Sequence, residues 1–481
     1  MPDLTPDEFR RAGHEAVEWI ARYRESLEER PVRGDTAPGD VRAALPGALP
    51  EHGEPFGELL ADLDRTITPG LVHWQHPSFF GYFPSNSSLA SVLGDLLSGG
   101  IGVQGMLWST GPAATELEQH LTDLLVPALG LPEAFAGAGG GGGMITESSS
   151  SANLVALLAA LHRSSLNGER GDWQGHGVDR SEVVYVSAHT HSSVEKAARI
   201  AGLGTAAVRV VASDPVTAAM DPVALREAIE DDRATGRRPV MVCATVGTTS
   251  TGAVDPVRAI GEVCVERGVW LHVDAAWAGA ATVCPELRHL VDGLEYADSY
   301  CTDAHKWLLT AFDCTLFWTS RPAALAEALA VVPEYLRNAA SESGQVVDYR
   351  DWQVPLGRRF RALKLWAVLR HYGLEGLREH IRGHVALAAE LAGRARRSAV
   401  FELAAPPCLG LVCLRVRATD PLAGDAATRA VLERVNAGGR VLLTHTVAGD
   451  RYLIRVAIGG VATERRHVDA LWAELEAAAR G

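Results

Sequence analysis

Short apolar runs alternate with longer segments of helical periodicity through the middle of the chain, from about residue 85 to 362. The strand-like runs are residues 183–188, 206–212, 239–246, 269–276 and 314–320. They are apolar on both sides, and amphipathic segments lie between them. This alternation is typical of a mostly parallel sheet with helices on both faces, so the sequence predicts an α/β domain here.

The two ends of the chain show different patterns. Residues 1–30 have helical spacing behind Thr5, a typical N-cap residue, and a stretch rich in Pro and Gly follows. Near the other end, strand-like runs at 401–407, 409–417, 441–449 and 451–459 precede a final helix-like segment. We therefore expect three parts: an N-terminal helical arm (1–88), a large α/β domain (89–363) and a small α+β domain (364–481).

Composition narrows the possible partners. The 481 residues include 45 Lys and Arg against 59 Asp and Glu, a formal charge of −14. This charge argues against nucleic acid or an anionic membrane as a partner. No apolar run approaches the roughly 18 residues of a membrane span, and the first residues do not resemble a signal peptide. The seven cysteines form no C-x-x-C pair, so we expect buried thiols, no metal site and a cytoplasmic protein.

Lysine is rare enough to limit where a nucleophilic amine can be. Only Lys196, Lys306 and Lys364 are present. Lys306 lies after a strand-like segment and before three apolar residues, where a partly desolvated amine could attack a carbonyl to form a Schiff base. An ordinary surface lysine is the alternative interpretation. Lys196 and Lys364 lie in helix-periodic segments, where solvated positions are expected.

Other candidate groups also follow the predicted strands, where ligands bind in parallel sheets. The Gly- and Ser-rich run 140–151 precedes a helix, so it can cradle a phosphate or simply cap that helix. Asp274 ends a strand and would need a cation if buried, such as a protonated ring nitrogen or an arginine. His191 is placed to stack on such a ring, or it is an ordinary residue near a helix start.

These groups are the parts of a pyridoxal-phosphate site, and the ordered motifs that carry them identify a family resemblance. The chain resembles the group II pyridoxal-phosphate decarboxylases, specifically the aromatic-L-amino-acid decarboxylase family. The resemblance implies the type I, aspartate-aminotransferase-like fold and a homodimer whose active site lies at the subunit interface. The matching segments are HWQHPSFFGYFPSNSS (73–88), HSSVEKA (191–197), ATVGTTSTGAVD (244–255), WLHVDAAWAG (270–279), DAHKWLL (303–309) and DYRDWQVPLGRRFRALKLW (348–366).

The resemblance also implies roles for four catalytic residues. Lys306 would hold pyridoxal 5'-phosphate covalently, and Asp274 would keep its ring nitrogen protonated. His191 would stack on the ring. Tyr335, in a segment expected to form a mobile lid, would protonate the substrate carbon after carbon dioxide leaves.

The remaining site residues are assigned by the same motifs. Beside Lys306, Asp274 and His191, the expected cofactor contacts are Ser149, Ser150, Thr249, Ala276, Asp303 and His305. Asp303 stands where many animal members have asparagine, and a carboxylate there would repel a phosphate unless a water, an arginine or a proton intervened. The expected substrate-side residues are Trp74, Tyr82, Phe83, Ser85, Met106 and Gly357, with Met106 reaching the site across the dimer interface. Phe80 and Pro84 are expected to add to the apolar wall.

The expected reaction is decarboxylation of an aromatic L-amino acid: tryptophan, phenylalanine, tyrosine or dopa. Gly357 has no side chain, which leaves room for an indole or catechol ring. Three alternatives stay open. The substrate could be polar, such as glutamate or diaminobutyrate, although segment 73–84 supplies no arginine for an acidic side chain. The chain could instead be an aromatic aldehyde synthase, or a homologue without activity.

Overall fold

A seven-stranded sheet forms the centre of the computed structural model, which describes residues 3–166, 175, 177–178, 181–331, 333–336 and 339–480. Its strand order is β1-β7-β6-β5-β4-β2-β3. Strands β2 to β6 are parallel, and β7 runs antiparallel to both β6 and β1. The strands are β1 Gly142–Thr146, β2 Glu182–Ser187, β3 Val208–Val211, β4 Arg238–Thr245, β5 Trp270–Asp274, β6 Ser299–Asp303 and β7 Thr315–Thr319.

The expected α/β architecture is confirmed, and the chain has fold type I. All five predicted strand runs are strands. Side chains of β4 alternate between two cores: Met241 and Cys243 pack in one, Val242 and Ala244 in the other. Because both faces of the sheet are buried, both must be covered, as the apolar runs predicted.

Strand β1 was not predicted, because its sequence is part of the glycine-rich run and glycine is depleted in strands. The glycines permit close packing at this edge of the sheet. A Cβ on Gly143 would lie 2.5 Å from the Thr122 Cβ and 2.7 Å from the Trp318 Nε1. A side chain at position 143 would not fit. A glycine-rich sequence that is typical of a loop therefore forms a strand here.

Helices pack on both faces of the sheet and form much of the two ends. The first begins after Thr5, which is the expected N-cap and forms a capping box with Glu8. Among the described helices, none is both long and apolar enough to cross a membrane. The helices are Pro6–Glu25, Asp40–Ala44, Phe56–Asp62, Leu89–Ile101, Pro112–Leu129, Ser149–Leu166, Ser193–Ile200, Pro222–Ala234, Val257–Arg267, Ala304–Trp307, Pro322–Leu329, Ala339–Glu342, Arg361–Arg397, Pro421–Ala437 and Arg465–Arg480.

A second, four-stranded antiparallel sheet lies in the C-terminal part, in the order β10-β11-β9-β8. Its strands are β8 Phe401–Leu403, β9 Leu411–Val416, β10 Thr444–Ala448 and β11 Arg451–Ala457. Helix Arg361–Arg397 connects the two sheets, with non-helical backbone at Gly373. Its Leu365 packs in the large core and its Leu391 in the small one, and the proposed boundary at 363/364 falls inside this helix. The division into 1–88, 89–363 and 364–481 remains a proposal.

The expectation for Lys364 was wrong. It is 1% exposed, and its Nζ lies 3.2 Å from the Asp95 Oδ2. Helix Arg361–Arg397 packs closely on helix Leu89–Ile101 at Gly94, where a Cβ would lie 2.5 Å from the Lys364 Cα. Helix Leu89–Ile101 therefore buries Lys364, although the sequence of the long helix alone indicates a solvated position.

A buried ion pair joins helix Pro112–Leu129 to the segment before the long helix, and both partners also bond to the backbone of β1. The Arg358 guanidinium donates to both Glu118 carboxylate oxygens, at 3.0 and 2.8 Å, and to the Ile145 carbonyl at 2.8 Å. Glu118 in turn accepts from the Ile145 N–H at 2.7 Å. The two side chains are 2% and 4% exposed. Removing either partner would leave a buried charge without compensation.

We therefore expect Arg358→Met to lower the free energy of unfolding by about 3–5 kcal/mol, measured from the urea midpoint. The control is Arg258→Met, which removes an arginine that is 43% exposed and pairs with Asp292. That exposed pair should contribute about 1 kcal/mol or less. Equal urea midpoints for the two variants would contradict the prediction that the buried Arg358–Glu118 pair matters more for stability than the exposed pair.

Candidate active site

A cavity of about 710 Å³ lies at the carboxyl edge of the parallel strands. Strands β4, β5 and β6 end at Thr245, Asp274 and Asp303, and all three residues line it. The structure brings most of the predicted site residues to this cavity. Those that line it are Trp74, Tyr82, Phe83, Ser85, Ser149, Ser150, His191, Thr249, Asp274, Ala276, Asp303, His305 and Lys306.

Lys306 lies in the single helical turn that follows β6. Its side chain is 23% exposed, and its Nζ lies 2.7 Å from the Asp303 Oδ2. The same Nζ is 6.0 Å from the centroid of the Phe83 ring. The turn thus presents a mostly buried amine to the cavity between a carboxylate and an aromatic ring.

Asp303 is buried where the phosphate cradle meets this amine. Its Oδ1 accepts a hydrogen bond from the Ser149 hydroxyl at 2.7 Å and another from Thr315. Burial raises the pKa of Asp303, but Lys306, His305 and these hydrogen bonds outweigh it, so the pKa lies below its usual value. The carboxylate is therefore anionic, and the nearest compensating charge is the amine of Lys306.

His305 lies beside this pair and also faces the cavity. Its Nε2 is 3.7 Å from the Asp303 Oδ2. Burial lowers the pKa of His305, although the nearby Asp303 acts in the opposite direction. A mainly neutral imidazole at neutral pH follows.

Asp274 ends β5 and is 3% exposed. Its Oδ2 accepts from the Asn153 Nδ2 at 3.0 Å, and its Oδ1 accepts from the Ala276 N–H at 3.0 Å. Both donors are neutral. A buried carboxylate with neutral partners favours a cation beside it, and the small Ala276 leaves space for a flat ring.

The start of helix Ser149–Leu166 lies at the cavity, where the sequence predicted a phosphate cradle. Ser148, Ser149 and Ser150 all line the cavity at this helix N-terminus, where backbone N–H groups and the helix dipole favour an anion. Thr249 approaches from the turn after β4. That turn contains Gly247 at φ 82°, where a Cβ would lie 2.6 Å from the Ala278 Cβ.

Aromatic rings form the wall on the substrate side. Trp74 and Tyr82 stack with their ring centroids 5.5 Å apart, and Phe83 stacks on Trp277 at 4.2 Å. Phe80, which was expected in this wall, is instead fully buried in the small-domain core. It precedes Gly81, and the chain turns there so that Phe80 and Tyr82 face different surroundings.

Two predicted residues, Met106 and Gly357, do not line the cavity of the single chain, and a third, Tyr335, cannot be placed. Met106 and Gly357 lie in adjoining segments: the Met106 carbonyl accepts from the Arg350 N–H at 3.1 Å, and a Cβ on Gly357 would lie 3.0 Å from the Gln104 Nε2. Tyr335 is in the turn Glu334–Leu336, but its side chain lies outside the described part of the structure, as does Asn338 of the predicted lid.

Sequence reasoning missed several residues of the site, among them Trp277, Asn86 and Asn153. Trp277 lines the cavity directly after Ala276, and Asn86 lines it while its Nδ2 donates to the Gly459 carbonyl at 2.8 Å. Asn153 lies beneath the cavity against Asp274. Its spacing could have been a signal, because it follows Ser149 by four residues and so lies on the same helix face.

The residues present fit pyridoxal phosphate. A helix N-terminus with three serines suits the phosphate, a mostly buried amine suits the aldehyde, and a carboxylate with neutral partners suits a protonated ring nitrogen. Within the described ranges, no cluster of three His, Cys, Asp or Glu side chains is arranged to hold a metal ion.

Comparisons with known proteins agree with this chemistry. The model of the pyridoxal-dependent decarboxylase conserved domain matches residues 38–417. Tyrosine decarboxylase 3 of Petroselinum crispum is 44% identical over 485 residues, covering 99% of this chain and 92% of the relative. Phenylacetaldehyde synthase of Arabidopsis thaliana is 43% identical over 475 residues, covering 98% and 96%.

A solved structure extends the similarity to three dimensions. The crystal structure of Oryza sativa TDC with PLP and tryptamine has a TM-score of 0.96 and 40% identity, covering 100% of this chain and 99% of the other. The family model spans most of the sequence, and the relatives match over nearly their full length. The chain therefore belongs to the group II pyridoxal-phosphate-dependent decarboxylases, in the aromatic-L-amino-acid decarboxylase family.

Proposed function

We propose that this enzyme, a pyridoxal-phosphate-dependent carboxy-lyase, converts an aromatic L-amino acid to the arylalkylamine and carbon dioxide. The observation that carries the proposal is the aromatic wall of Trp74, Tyr82 and Phe83 in the same cavity as Lys306 and Asp274. When bound, pyridoxal phosphate supplies a ring that accepts the electron pair left by the departing carbon dioxide.

The side chains would divide the work as follows. Lys306 holds the cofactor and releases it to the substrate amine. Asp274 keeps a proton on the ring nitrogen, which stabilises the electron pair during decarboxylation. Ser149 and Ser150 hold the phosphate, and His191 lies against the ring. Asp274 is buried, so its electrostatic contact with the ring nitrogen would be stronger than the same contact in water.

An aromatic substrate is favoured over an acidic one by charge. The described residues that line the cavity include no arginine. Arg455 is close, with its guanidinium 5.1 Å from the Phe83 centroid, but it does not line the cavity and donates to the Tyr82 and Ser250 carbonyls. A glutamate side chain would have no cation there to offset its desolvation.

We also propose that the enzyme is a cytoplasmic homodimer. Helix Leu89–Ile101 exposes a stripe of leucines that includes Leu93 and Leu97, at 53% and 59% exposure. Burial of this stripe against a second copy would remove apolar surface from water. Met106 and Gly357 would then complete the partner's substrate pocket.

The proposed cytoplasmic location rests on the cysteines. All seven are free thiols, which suits a reducing compartment.

Product identification tests the main proposal. Given a mixture of all amino acids and pyridoxal phosphate, the enzyme should release an aromatic amine, detected by mass spectrometry. Lys306→Ala should abolish turnover and the borohydride-trapped cofactor adduct, because neither Lys196 nor Lys364 lines the cavity. Lys196→Ala, which changes an exposed helix residue, should retain both. Preferred turnover of glutamate, or trapping on Lys196 or Lys364, would overturn the proposal.

An aldehyde synthase is the second candidate, favoured by the similarity to phenylacetaldehyde synthase. That reaction consumes the amino acid with dioxygen and water, and yields the aldehyde, carbon dioxide, ammonia and hydrogen peroxide. The presence of Tyr335 favours formation of the amine, since by the family resemblance its hydroxyl protonates the substrate carbon.

We expect Tyr335→Phe to bind cofactor normally but to divert product from amine to aldehyde, with peroxide formed in equal amount. An unchanged amine yield would remove this assignment.

Sedimentation tests the dimer. Leu97→Glu should shift the enzyme toward monomer at micromolar concentration, because a charge would be buried in the interface. Leu422→Glu is the control, since Leu422 is 79% exposed on a small-domain helix outside the stripe. A wild-type monomer, or a Leu97→Glu dimer as stable as the control, would contradict the proposed interface.

A further inference from the structure

A buried amide connects two of the proposed catalytic side chains. Asn153 is fully buried on helix Ser149–Leu166. Its Nδ2 donates to the Asp274 Oδ2 at 3.0 Å and to the Ser193 Oγ at 2.8 Å. Its Oδ1 lies 2.7 Å from the His272 Nε2. All the hydrogen-bonding capacity of the Nδ2 group is therefore used inside the protein.

The chemistry of the partners sets the direction of these bonds. An ionised carboxylate only accepts, so the Nδ2 of Asn153 must face Asp274 and its Oδ1 must face His272. His272 then donates from Nε2. Burial lowers the pKa of His272 to about 4, so the ring is neutral and its Nδ1 accepts from the Ser299 hydroxyl at 2.8 Å. Ser299 is held in turn by the Trp270 Nε1–H at 2.9 Å.

A second series of hydrogen bonds runs from Asn153 through Ser193 to His191. The Ser193 Oγ accepts from Asn153, which leaves its hydrogen to donate to the His191 Nδ1 at 2.8 Å. The Ser193 backbone N–H donates to the same Nδ1 at 3.2 Å. With two donors on Nδ1, the uncharged form of the ring must carry its hydrogen on Nε2. None of the described residues accepts a hydrogen bond from that Nε2.

We propose that Asn153 is a positioning residue that orders two groups of the site at once. It holds the Asp274 carboxylate and, through Ser193, fixes His191 as a hydrogen-bond donor from Nε2 to an oxygen of the ligand in the cavity. The inference deepens the proposed function and rests on it, because it needs His191 and Asp274 to face the bound cofactor and substrate. A ring with the opposite tautomer would offer the ligand a lone pair instead of a hydrogen.

The tautomer can be measured without turnover. Nitrogen-15 NMR of histidine-labelled enzyme, with and without pyridoxal phosphate, should show the His191 hydrogen on Nε2; His191→Gln identifies the signal. Ser193→Ala should shift both ring nitrogens toward a mixture of tautomers, and Ser193→Thr, which keeps the hydroxyl, should restore the wild-type signal. A wild-type hydrogen on Nδ1, or signals unchanged in Ser193→Ala, would overturn the proposal.

Cofactor affinity separates the two branches of the network. Asn153→Ala removes a hydrogen bond to a charged group, so the apoenzyme should bind pyridoxal phosphate about 10- to 100-fold more weakly. Ser193→Ala leaves the Asn153–Asp274 bond in place, so its affinity should change by less than about threefold while kcat falls. Equal loss of affinity in both variants would contradict the separate roles.

The control is Ser165→Ala, a buried hydroxyl on the same helix that donates to the His162 carbonyl at 2.7 Å. It should keep the wild-type affinity, kcat and His191 signal. Failure of the proposed function would appear differently: no aromatic amine would form in the wild type, whereas the tautomer and the affinity series would still test the network.

Discussion

Burial of negative charge at one edge of the sheet is the constraint on which the site depends. Asp255, Asp274 and Asp303 are each at most 3% exposed, and each is stabilised differently. Asp255 accepts from the Thr245 and Met220 N–H groups, both at 2.7 Å, and burial raises its pKa to about 6. Asp303 pairs with Lys306. Asp274 has only neutral hydrogen-bond donors, so it is the carboxylate that a cationic ring would stabilise most.

Each of these three aspartates has a different role in the site. Asp255 ties the turn after β4 to its strand, which fixes the backbone that carries Thr249. Asp303 holds the reactive amine in place beside the phosphate cradle. Asp274 is kept in position by Asn153 yet left without a counter-charge from the protein. A sheet edge that only stabilised the fold would have no reason to keep a carboxylate in that state.

The helix that connects the two sheets contacts the site through a series of packed rings. Phe83 stacks on Trp277, Trp277 on Trp307 at 5.0 Å, and the Trp307 Nε1 donates to the Nδ1 of His384 at 3.0 Å. His384 lies on the long helix that connects the two sheets. Phe83, Trp307 beside Lys306 and the connecting helix therefore form one packed column, so the site depends on the packing of that helix.

The sequence by itself determined the parallel strands other than β6, the ordered motifs and the small number of candidate amines, because those depend on local periodicity and on residue type. It also placed Ser149, Asp274 and Lys306 at strand or helix ends, where ligands bind. Only the tertiary structure decided that Lys364 is buried, that Phe80 belongs to the other core, and that Asn153 joins Asp274 to Ser193. Those facts depend on which surfaces of distant segments meet, and chain-local patterns carry no information about the partner that covers a residue.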